Sequence, residues 1–445
     1  MRKLNIEQIA ASEPGSGITL VIAGAGTGKT STMITKIKNV VNSKIVKPEE
    51  IVILTFSKKA AGEINERLSE GFNDTFKSGF TGTFHSFSLK LLKENSGLYL
   101  HHRSLNSFPS VINREDKAII MQKLIMNQSE KFLGLPADVV INLSENLNLM
   151  NEKTILKLKS GPLFNEIYNI KESYENHKKE KLLIEFEDII NHAAELLESF
   201  PGFKQKIVEK YRYIFVDEFQ DTSDNNFQLL SCLLPAENKN LFMVGDDYQS
   251  IYKFRHSRVE YIINAKKFFP DVSIHKLTVN YRSKKEIILI SNRFIRLNRF
   301  RTSKKILSDR GKGGSVKFYN VEDMHNESEL LNKIIVSAPH NSSIAVLYRN
   351  NYQGEYLSKN FNSGNSGGTV EFMTMHGSKG LEFDIVIIAG ISDKIIPDRT
   401  SDIEEERRLF YVALTRAKNE LHLLYYQHGQ NKLPRFIREL GLKKN

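Results

Sequence analysis

Residues 23–31, Ala-Gly-Ala-Gly-Thr-Gly-Lys-Thr-Ser, carry the plainest chemistry in this 445-residue chain. Gly24, Gly26 and Gly28 leave backbone N–H groups free to surround phosphate oxygens, and a helix opening at Lys29 adds its positive end. The Lys29 ammonium can reach terminal phosphates and the Thr30 hydroxyl can sit on Mg²⁺, while Ala25, Thr27 and Ser31 complete the cradle. The first glycine of the general Gly-x4-Gly-Lys-Thr pattern is replaced by Ala23. A second constellation, Asp217-Glu218, ends an apolar run. There Asp217 can hold the Mg²⁺ that bridges the phosphates, and Glu218 can orient and deprotonate an attacking water. Hydrolysis also needs positive charge at the γ-phosphate beyond Lys29. Arg282 and Arg416 are candidates for it, and the amide of Gln8 could meet a base edge with one donor and one acceptor face.

The surrounding pattern supplies elements to position these groups. Leu20–Ala23 reads as a buried strand and Lys29–Val41 as a helix; Leu4–Ala11 reads as a helix just upstream. Glu50–Phe56 and Phe80–Phe84 are strands, each followed by a polar turn and a helix, over Ser57–Leu68 and Phe87–Lys93. Strand–helix alternation at this spacing predicts an α/β fold with parallel sheets, whose ligands lie at the carboxyl ends of strands. Between about 95 and 180 the strand signal fades, and Arg114–Asn127 and Phe164–Lys179 read as charged helices. Tyr213–Val216 and Asn240–Val244 return to strand, and Asn280–Ser283 is expected to open a helix and a second α/β domain. Its expected strands are Val316–Tyr319, Ser343–Arg349, Val370–Met375, Asp384–Ile391 and Glu420–Tyr426, with a helix over Ile403–Ala417.

Composition narrows the class. Lys and Arg exceed Asp and Glu by 63 to 52, for a net charge of +11, which favours a polyanionic partner. Charge alone does not separate nucleic acid from a membrane surface. No apolar run approaches the roughly 20 residues of a membrane span, and Met1–Asn5 is no signal peptide, so a cytoplasmic protein without membrane attachment is expected. The single cysteine, Cys232, excludes an internal disulfide or a cysteine-based zinc site and, among Leu229, Leu230 and Leu233, reads as packing. Aromatic side chains that could stack on bases fall at strand-end turns: Phe56, Phe84, His85, Tyr252, Phe254 and His376, with Thr83 beside them as a polar contact.

Taken in order, these segments resemble the UvrD/Rep/PcrA-type helicases of superfamily 1. The resemblance is carried by Leu4–Ala11, Ala23–Thr30, Leu54–Ala61, Thr81–Ser86, Val216–Ser223, Val244–Arg255, Asn280–Ser283, Ala345–Asn350, Thr374–Asp384 and Glu406–Lys418. That family writes Ala or Gly at the position of Ala23. The resemblance implies two RecA-like P-loop domains with ATP and Mg²⁺ between them. It implies that Gln8 reads the adenine, Tyr281 stacks on it and Glu382 contacts the ribose. It further implies that Gln249 senses the γ-phosphate and water, with Arg282 and Arg416 as arginine fingers. The implied activity is that of an ATP-dependent single-stranded DNA translocase and 3′–5′ helicase, acting on single strands or on duplex with a 3′ single-stranded tail. The family often has Trp where Phe254 stands, and this chain has no Trp. RNA would be tolerated by stacking and phosphate contacts; the family favours DNA.

The expected organisation is a first motor domain from 1–94 and 185–278, interrupted by a helical insertion at 95–184, and a second motor domain at 279–445. Relatives carry a large insertion before the motif at Thr374. Here that gap holds only a short Asn/Ser/Gly linker near 362–368, so the form is compact. A second reading, from another class, is a DNA-stimulated ATPase subunit that feeds a partner nuclease in repair or antiphage defence. Compact chains of this type occur in systems such as Gabija. A nuclease within the same chain is not expected, since about 25 residues follow the last motif.

Overall fold

The computed structural model describes residues 3–72, 76–127, 162–361, 368–398, 401–427 and 433–442. Residues 128–161 of the expected insertion and 362–367 of the expected linker lie outside them.

The fold is mixed α/β, built on two parallel sheets. The first has six strands: β1 (Ile18–Ala23), β2 (Ile51–Thr55), β3 (Phe80–Thr83), β4 (Tyr213–Val216), β5 (Leu241–Gly245) and β6 (Ser273–Leu277). Their spatial order is β3-β2-β4-β5-β1-β6, and every pairing is parallel. Strands β2, β4 and β5 are buried along their whole length, which explains their unbroken apolar runs. Val21, Ile34, Ile53, Phe215 and Val244 belong to one core that joins this sheet to the helices Lys29–Asn42 and Lys58–Gly71.

The second sheet has five strands: β7 (Ser315–Val321), β8 (Ser343–Tyr348), β9 (Thr369–Thr374), β10 (Phe383–Ile391) and β11 (Ala417–Tyr426). Its order is β7-β11-β10-β8-β9, again parallel throughout. The helix Ile403–Leu414, capped by the Asp402 carboxylate, packs against it through Leu409, Phe410 and Val412. Because every strand in a parallel sheet points the same way, one edge of each sheet gathers all the loops that leave carboxyl ends.

The chain divides into two compact units. One comprises 1–83, 207–227 and 233–445, and holds both large sheets; the other comprises 84–206 and 228–232. The second unit is helical, with helices Phe84–Glu94, Ser96–Arg103, Arg114–Asn127, Pro162–Glu180 and Phe186–Ser199, and one short parallel pair, Ser110–Ile112 with Leu183–Glu185. Its buried Lys178 is held by Glu185 at 3.1 Å and Asp188 at 3.0 Å. Cys232 is buried there as expected, and burial, with Glu198 beside it, pushes its thiol up to about 12. Among the described residues no helix is long and apolar enough to cross a membrane.

One sequence expectation is corrected and one strand was not foreseen. Asn280–Ser283 does not open a helix: Val279–Asn280 pairs with Leu307–Ser308, and the helix begins at Lys285. The buried Asn280 side chain caps the turn instead, accepting from the N–H groups of Arg282 and Ser283 at 2.9 and 2.8 Å. Strand β6 was not expected, because Ser-Ile-His-Lys-Leu lies at a sheet edge with most side chains in solvent.

Candidate functional site

The loop after β1 turns through two glycines in the left-handed region, Gly26 at φ +65° and Gly28 at φ +84°. A side chain at either would collide with its surroundings. A Cβ on Gly26 would lie 2.7 Å from Arg282 Cβ, and one on Gly28 would lie 2.5 Å from Gln8 Nε2. Gln8 is buried beneath the loop and its amide is used on both faces: Nε2 donates to the Thr27 carbonyl at 2.9 Å, and Oε1 accepts from the Asn5 N–H at 3.0 Å. Asn5 in turn donates to the Tyr281 hydroxyl at 2.7 Å. The Tyr281 N–H donates to the Gly26 carbonyl at 2.9 Å. Gln8, Tyr281, Arg282 and the glycine loop are therefore one cluster.

Beside it lies the acidic pair that follows β4. Glu218 sits at φ +51°, an uncommon backbone conformation for a non-glycine residue that costs on the order of 1–3 kcal/mol and clusters at functional sites. Its carboxylate is 3.1 Å from the Lys29 ammonium and accepts from the Gln220 amide at 2.5 Å. Burial opposes the charge of Glu218, but Lys29 first, then Lys379 and Gln220, outweigh it and hold its carboxyl at about 2. Asp217 behaves in the opposite way: burial, then the Glu218 charge, push it up to about 7.

Burial and that like charge would both be relieved by a cation at Asp217. Asp217 and the Thr30 hydroxyl are hard oxygen donors of the kind Mg²⁺ takes, alongside phosphate oxygens. Among the described residues no group of three or more His, Cys, Asp or Glu could hold a metal ion. In the window between the ordinary carboxyl value and about 7, native Asp217 keeps a proton that the unfolded chain has lost. Stability from this group therefore falls as pH rises through the window. Without Mg²⁺ or nucleotide, Asp217→Asn is expected to gain in melting temperature relative to wild type as pH rises from about 4 to about 7. A difference independent of pH would show that Asp217 is ionised throughout.

The loop after β5 brings the third part. Gln249 donates through Nε2 to Asp246 Oδ2 at 2.6 Å, and its Oε1 accepts from Arg416 Nη2 at 3.1 Å. Arg416 is 1% exposed and is anchored to the carbonyls of Val412 at 2.9 Å and Leu381 at 3.0 Å. Burial, then the nearby Arg282, lower its pKa to about 9, which leaves it charged at neutral pH. Arg282 pairs with Glu382 at 2.7 Å, and Glu382 also meets Lys418 at 3.1 Å. The structure thus brings Lys29, Glu218, Gln249, Arg282, Arg416 and Glu382 around the phosphate loop.

Three residues that sequence reasoning did not assign belong to the same cluster. Lys379 ion-pairs with Asp221, donates to the Gln249 carbonyl at 3.0 Å and lies 4.6 Å over the Tyr252 ring. Gln220 joins Glu218 to the Asp246 N–H, which it accepts at 2.8 Å. Lys379 stands inside the quoted Thr374–Asp384 segment and Gln220 inside Val216–Ser223, so position in a motif was the available signal. The third, Lys304, had no such signal.

Of the aromatic candidates, Phe254 is 61% exposed and meets Tyr252 and His376 edge-on at 5.9 and 5.8 Å. Arg255 covers both Tyr252 and Phe254, at 5.4 and 5.6 Å. Burial, then Arg349, pushes the His376 imidazole down to about 4, so it is a neutral ring. Phe56 and Thr83 stand at the ends of β2 and β3 and are partly buried. His85, partly buried in the helical unit, meets the exposed Phe186 edge-on at 5.8 Å. Phe84 is corrected: at 2% exposure it is core, with no ring face to offer a base.

Comparison with known proteins gives the family. The UvrD/REP helicase N-terminal domain matches residues 4–270. The chain belongs to the UvrD/Rep helicase family. The UvrD-like helicase C-terminal domain matches in two pieces, 275–366 and 362–428. The ATP-dependent DNA helicase Rep of Buchnera aphidicola subsp. Schizaphis graminum is 31% identical over 366 residues, which cover 80% of this chain and 55% of that protein. The ATP-dependent DNA helicase PcrA of Staphylococcus aureus is 26% identical over 419 residues, covering 91% of this chain and 56% of that one. The chain thus spans about half the length of the curated relatives it matches.

Proposed function

We propose that the chain is an ATP-dependent motor that translocates 3′ to 5′ along single-stranded DNA and unwinds duplex carrying a 3′ single-stranded tail. The motor domains are 1–94 with 185–278, and 279–445, with 95–184 as an insertion. The observation that carries the reading is the contact of Arg416, which precedes β11 of the second sheet, with Gln249, which follows β5 of the first. A guanidinium from one sheet meets the candidate γ-phosphate sensor of the other, beside the Lys29–Glu218 pair. That arrangement couples hydrolysis to the approach of two domains. ATP binds on the 24–31 loop with Mg²⁺ at Thr30 and Asp217; the ion neutralises charge on the phosphates. Gln8 and Tyr281 take the base, Glu382 the ribose, and Glu218 accepts the proton of the attacking water. The second N–H of Gln8 Nε2 and the second lone pair of its Oε1 remain for the adenine edge beside the bonds to Thr27 and Asn5.

DNA lies along Phe254, Tyr252 and His376, with Phe56, Thr83 and His85 as further contacts. Stacking on exposed aromatic rings accounts for sequence tolerance, and basic side chains for affinity. Binding to oligo(dT) is therefore expected to weaken steeply between 50 and 200 mM salt, by about 300-fold or more if six or more phosphates of the single strand are neutralised. A flat salt response would leave stacking alone as the source of affinity and remove the basic track.

The deciding experiment is steady-state ATP hydrolysis with and without oligo(dT), on wild type and on Glu218→Gln. Strong stimulation that is lost in the variant supports the motor. Hydrolysis indifferent to DNA overturns it in favour of an ATPase subunit gated by a partner nuclease. Polarity is read by displacement from duplexes with 3′ or 5′ tails.

A further inference from the structure

The segment Arg301–Ile306 holds a buried charge that the proposed chemistry does not use. The Lys304 side chain is 0% exposed, and its ammonium lies 2.6 Å from both Asp246 Oδ1 and Asp247 Oδ1. Its remaining side faces the Tyr248 ring, 4.0 Å from the centroid. The same segment secures Asp247 a second time, through the Thr302 N–H at 2.7 Å and hydroxyl at 2.6 Å. Tyr248 returns the contact by donating to the carbonyls of Thr302 and Lys304 at 3.0 and 3.2 Å. Two residues on, Ile306 Cδ1 stands 2.3 Å from where a Cβ on Gly24 would lie, so the strap also backs the phosphate loop.

Asp246 is the link to the site. Its Oδ1 takes Lys304 and the Tyr248 N–H, at 2.6 and 3.1 Å, while its Oδ2 takes Gln249 Nε2 at 2.6 Å. The Gln249 amide has no freedom to flip: its other end faces Arg416, which can only donate, and this end faces a carboxylate, which can only accept. Arg416, Asp246, Asp247 and Lys304 sum to zero charge, which is what allows so many ionised groups in a dry interior. Without the ammonium, Asp246 and Asp247 become adjacent buried charges with no cation between them, and Asp246 Oδ1 is held by the Tyr248 N–H alone, a weaker hold on the carboxylate that presents Oδ2.

We propose that Lys304 is a positioning residue for ATP hydrolysis, which fixes Gln249 against Arg416 by clamping the carboxylate of Asp246. The proposal rests on the reading of Gln249 as γ-phosphate sensor. It concerns rate and not nucleotide affinity, because Lys304 reaches neither the glycine loop nor Gln8. It also assigns a purpose to the strap: a segment leading into the second sheet sets the geometry of a residue that follows a strand of the first.

The test is a double-mutant cycle on the whole chain with oligo(dT) present, reading kcat and KM for ATP together. Lys304→Met is expected to lower kcat about 10²-fold, the loss seen when one oriented polar group is removed from a transition state, with KM changed by less than about threefold. In a Gln249→Ala background the same change is expected to lower kcat by less than about threefold, since the residue through which it acts is gone. Lys304→Met/Asp247→Asn removes one charge of each sign and serves as the folding control. It is expected to recover melting temperature and leave kcat low. Equal losses in both backgrounds, or recovery of kcat along with stability, would overturn the proposal and make Lys304 a structural residue. A wild-type chain that hydrolyses ATP while Gln249→Ala does so equally well overturns the Gln249 reading and this proposal with it. A wild-type chain that does not hydrolyse ATP at all overturns the motor instead.

Discussion

Arg416→Ala is expected to bind ATP and ADP nearly as wild type does and to lose about 10³–10⁵-fold in DNA-stimulated turnover, the range in which arginine fingers act. The size of the effect follows from how the side chain is held. Nε and Nη1 are fixed by the carbonyls of Val412 and Leu381, so Nη2 meets Gln249 without any loss of rotamer freedom at the moment of reaction. Its pKa of about 9, lowered by burial and then by Arg282, leaves the charge in place at neutral pH but poorly solvated, so it interacts strongly with a developing charge nearby. Alanine also takes a donor from the Leu381 carbonyl, at about 1–3 kcal/mol, while the Val412 carbonyl keeps the Thr415 hydroxyl at 3.0 Å, so stability must be followed in parallel. Arg416→Lys separates the two effects: it keeps a donor and most of the side-chain volume, cannot make the forked contacts, and is expected to remain slow while melting closer to wild type. A twofold loss of kcat in either variant would take Arg416 out of the site.

The second large effect is expected at Glu218. Glu218→Gln is nearly isosteric and keeps the same left-handed backbone, so it should fold, bind ATP and lose about 10²–10⁴-fold in kcat as the proton acceptor disappears. A carboxylate held at about 2 is a poor base, and the structure says why it is held there: Lys29 is 3.1 Å away. A γ-phosphate that draws Lys29 to itself removes the largest of the charges that lower Glu218. Burial, until then outweighed, pushes the carboxyl upward into the range where it can accept a proton. The acidic limb of the kcat profile is therefore expected well above about 2, while nucleotide-free Glu218 titrates near that value. The check is the pH dependence of kcat at saturating ATP and DNA, set against Glu218 followed by carboxyl-selective NMR without nucleotide. Coincident values would mean that Lys29 stays with Glu218 during turnover.

How much of this could be read from the sequence differs by the range of the cause. The 24–30 loop was legible because glycine, lysine and threonine at fixed offsets have local reasons to be there, and the structure adds only what crowds Gly26 and Gly28. Buried strands such as Tyr213–Val216 were legible because a strand covered on both faces must be apolar throughout. Strand β6 was not, because an edge strand with exposed Ser273, Ile274 and Lys276 has the composition of a loop. Asn280 looked like a helix start for a similar reason. Its real partners, the Ala25 carbonyl and two N–H groups of the turn, include one that lies 255 residues away. Lys304 is the extreme case: in the run Arg-Thr-Ser-Lys-Lys it has every mark of a surface lysine, and only tertiary contact with Asp246 and Asp247 reveals it as buried. Phe84 errs the other way, an aromatic within a motif that turns out to be core.

The order of strands in the first sheet sorts mutations into classes. Reading across the carboxyl edge, the loops after β3 and β2 carry Thr83 and Phe56, those after β4 and β5 carry Glu218 and Asp246–Phe254, and those after β1 and β6 carry the glycine loop and Asn280–Arg282. Lesions at one end should yield proteins that hydrolyse but do not hold the strand, and lesions at the other should yield proteins that hold it but do not hydrolyse. The two middle loops lie between these ends. A genetic screen for chains that both hold the strand and hydrolyse ATP, yet do not move, would therefore be expected to return alleles concentrated in about forty residues, from Asp217 to Arg255, and to leave the flanking strands nearly blank.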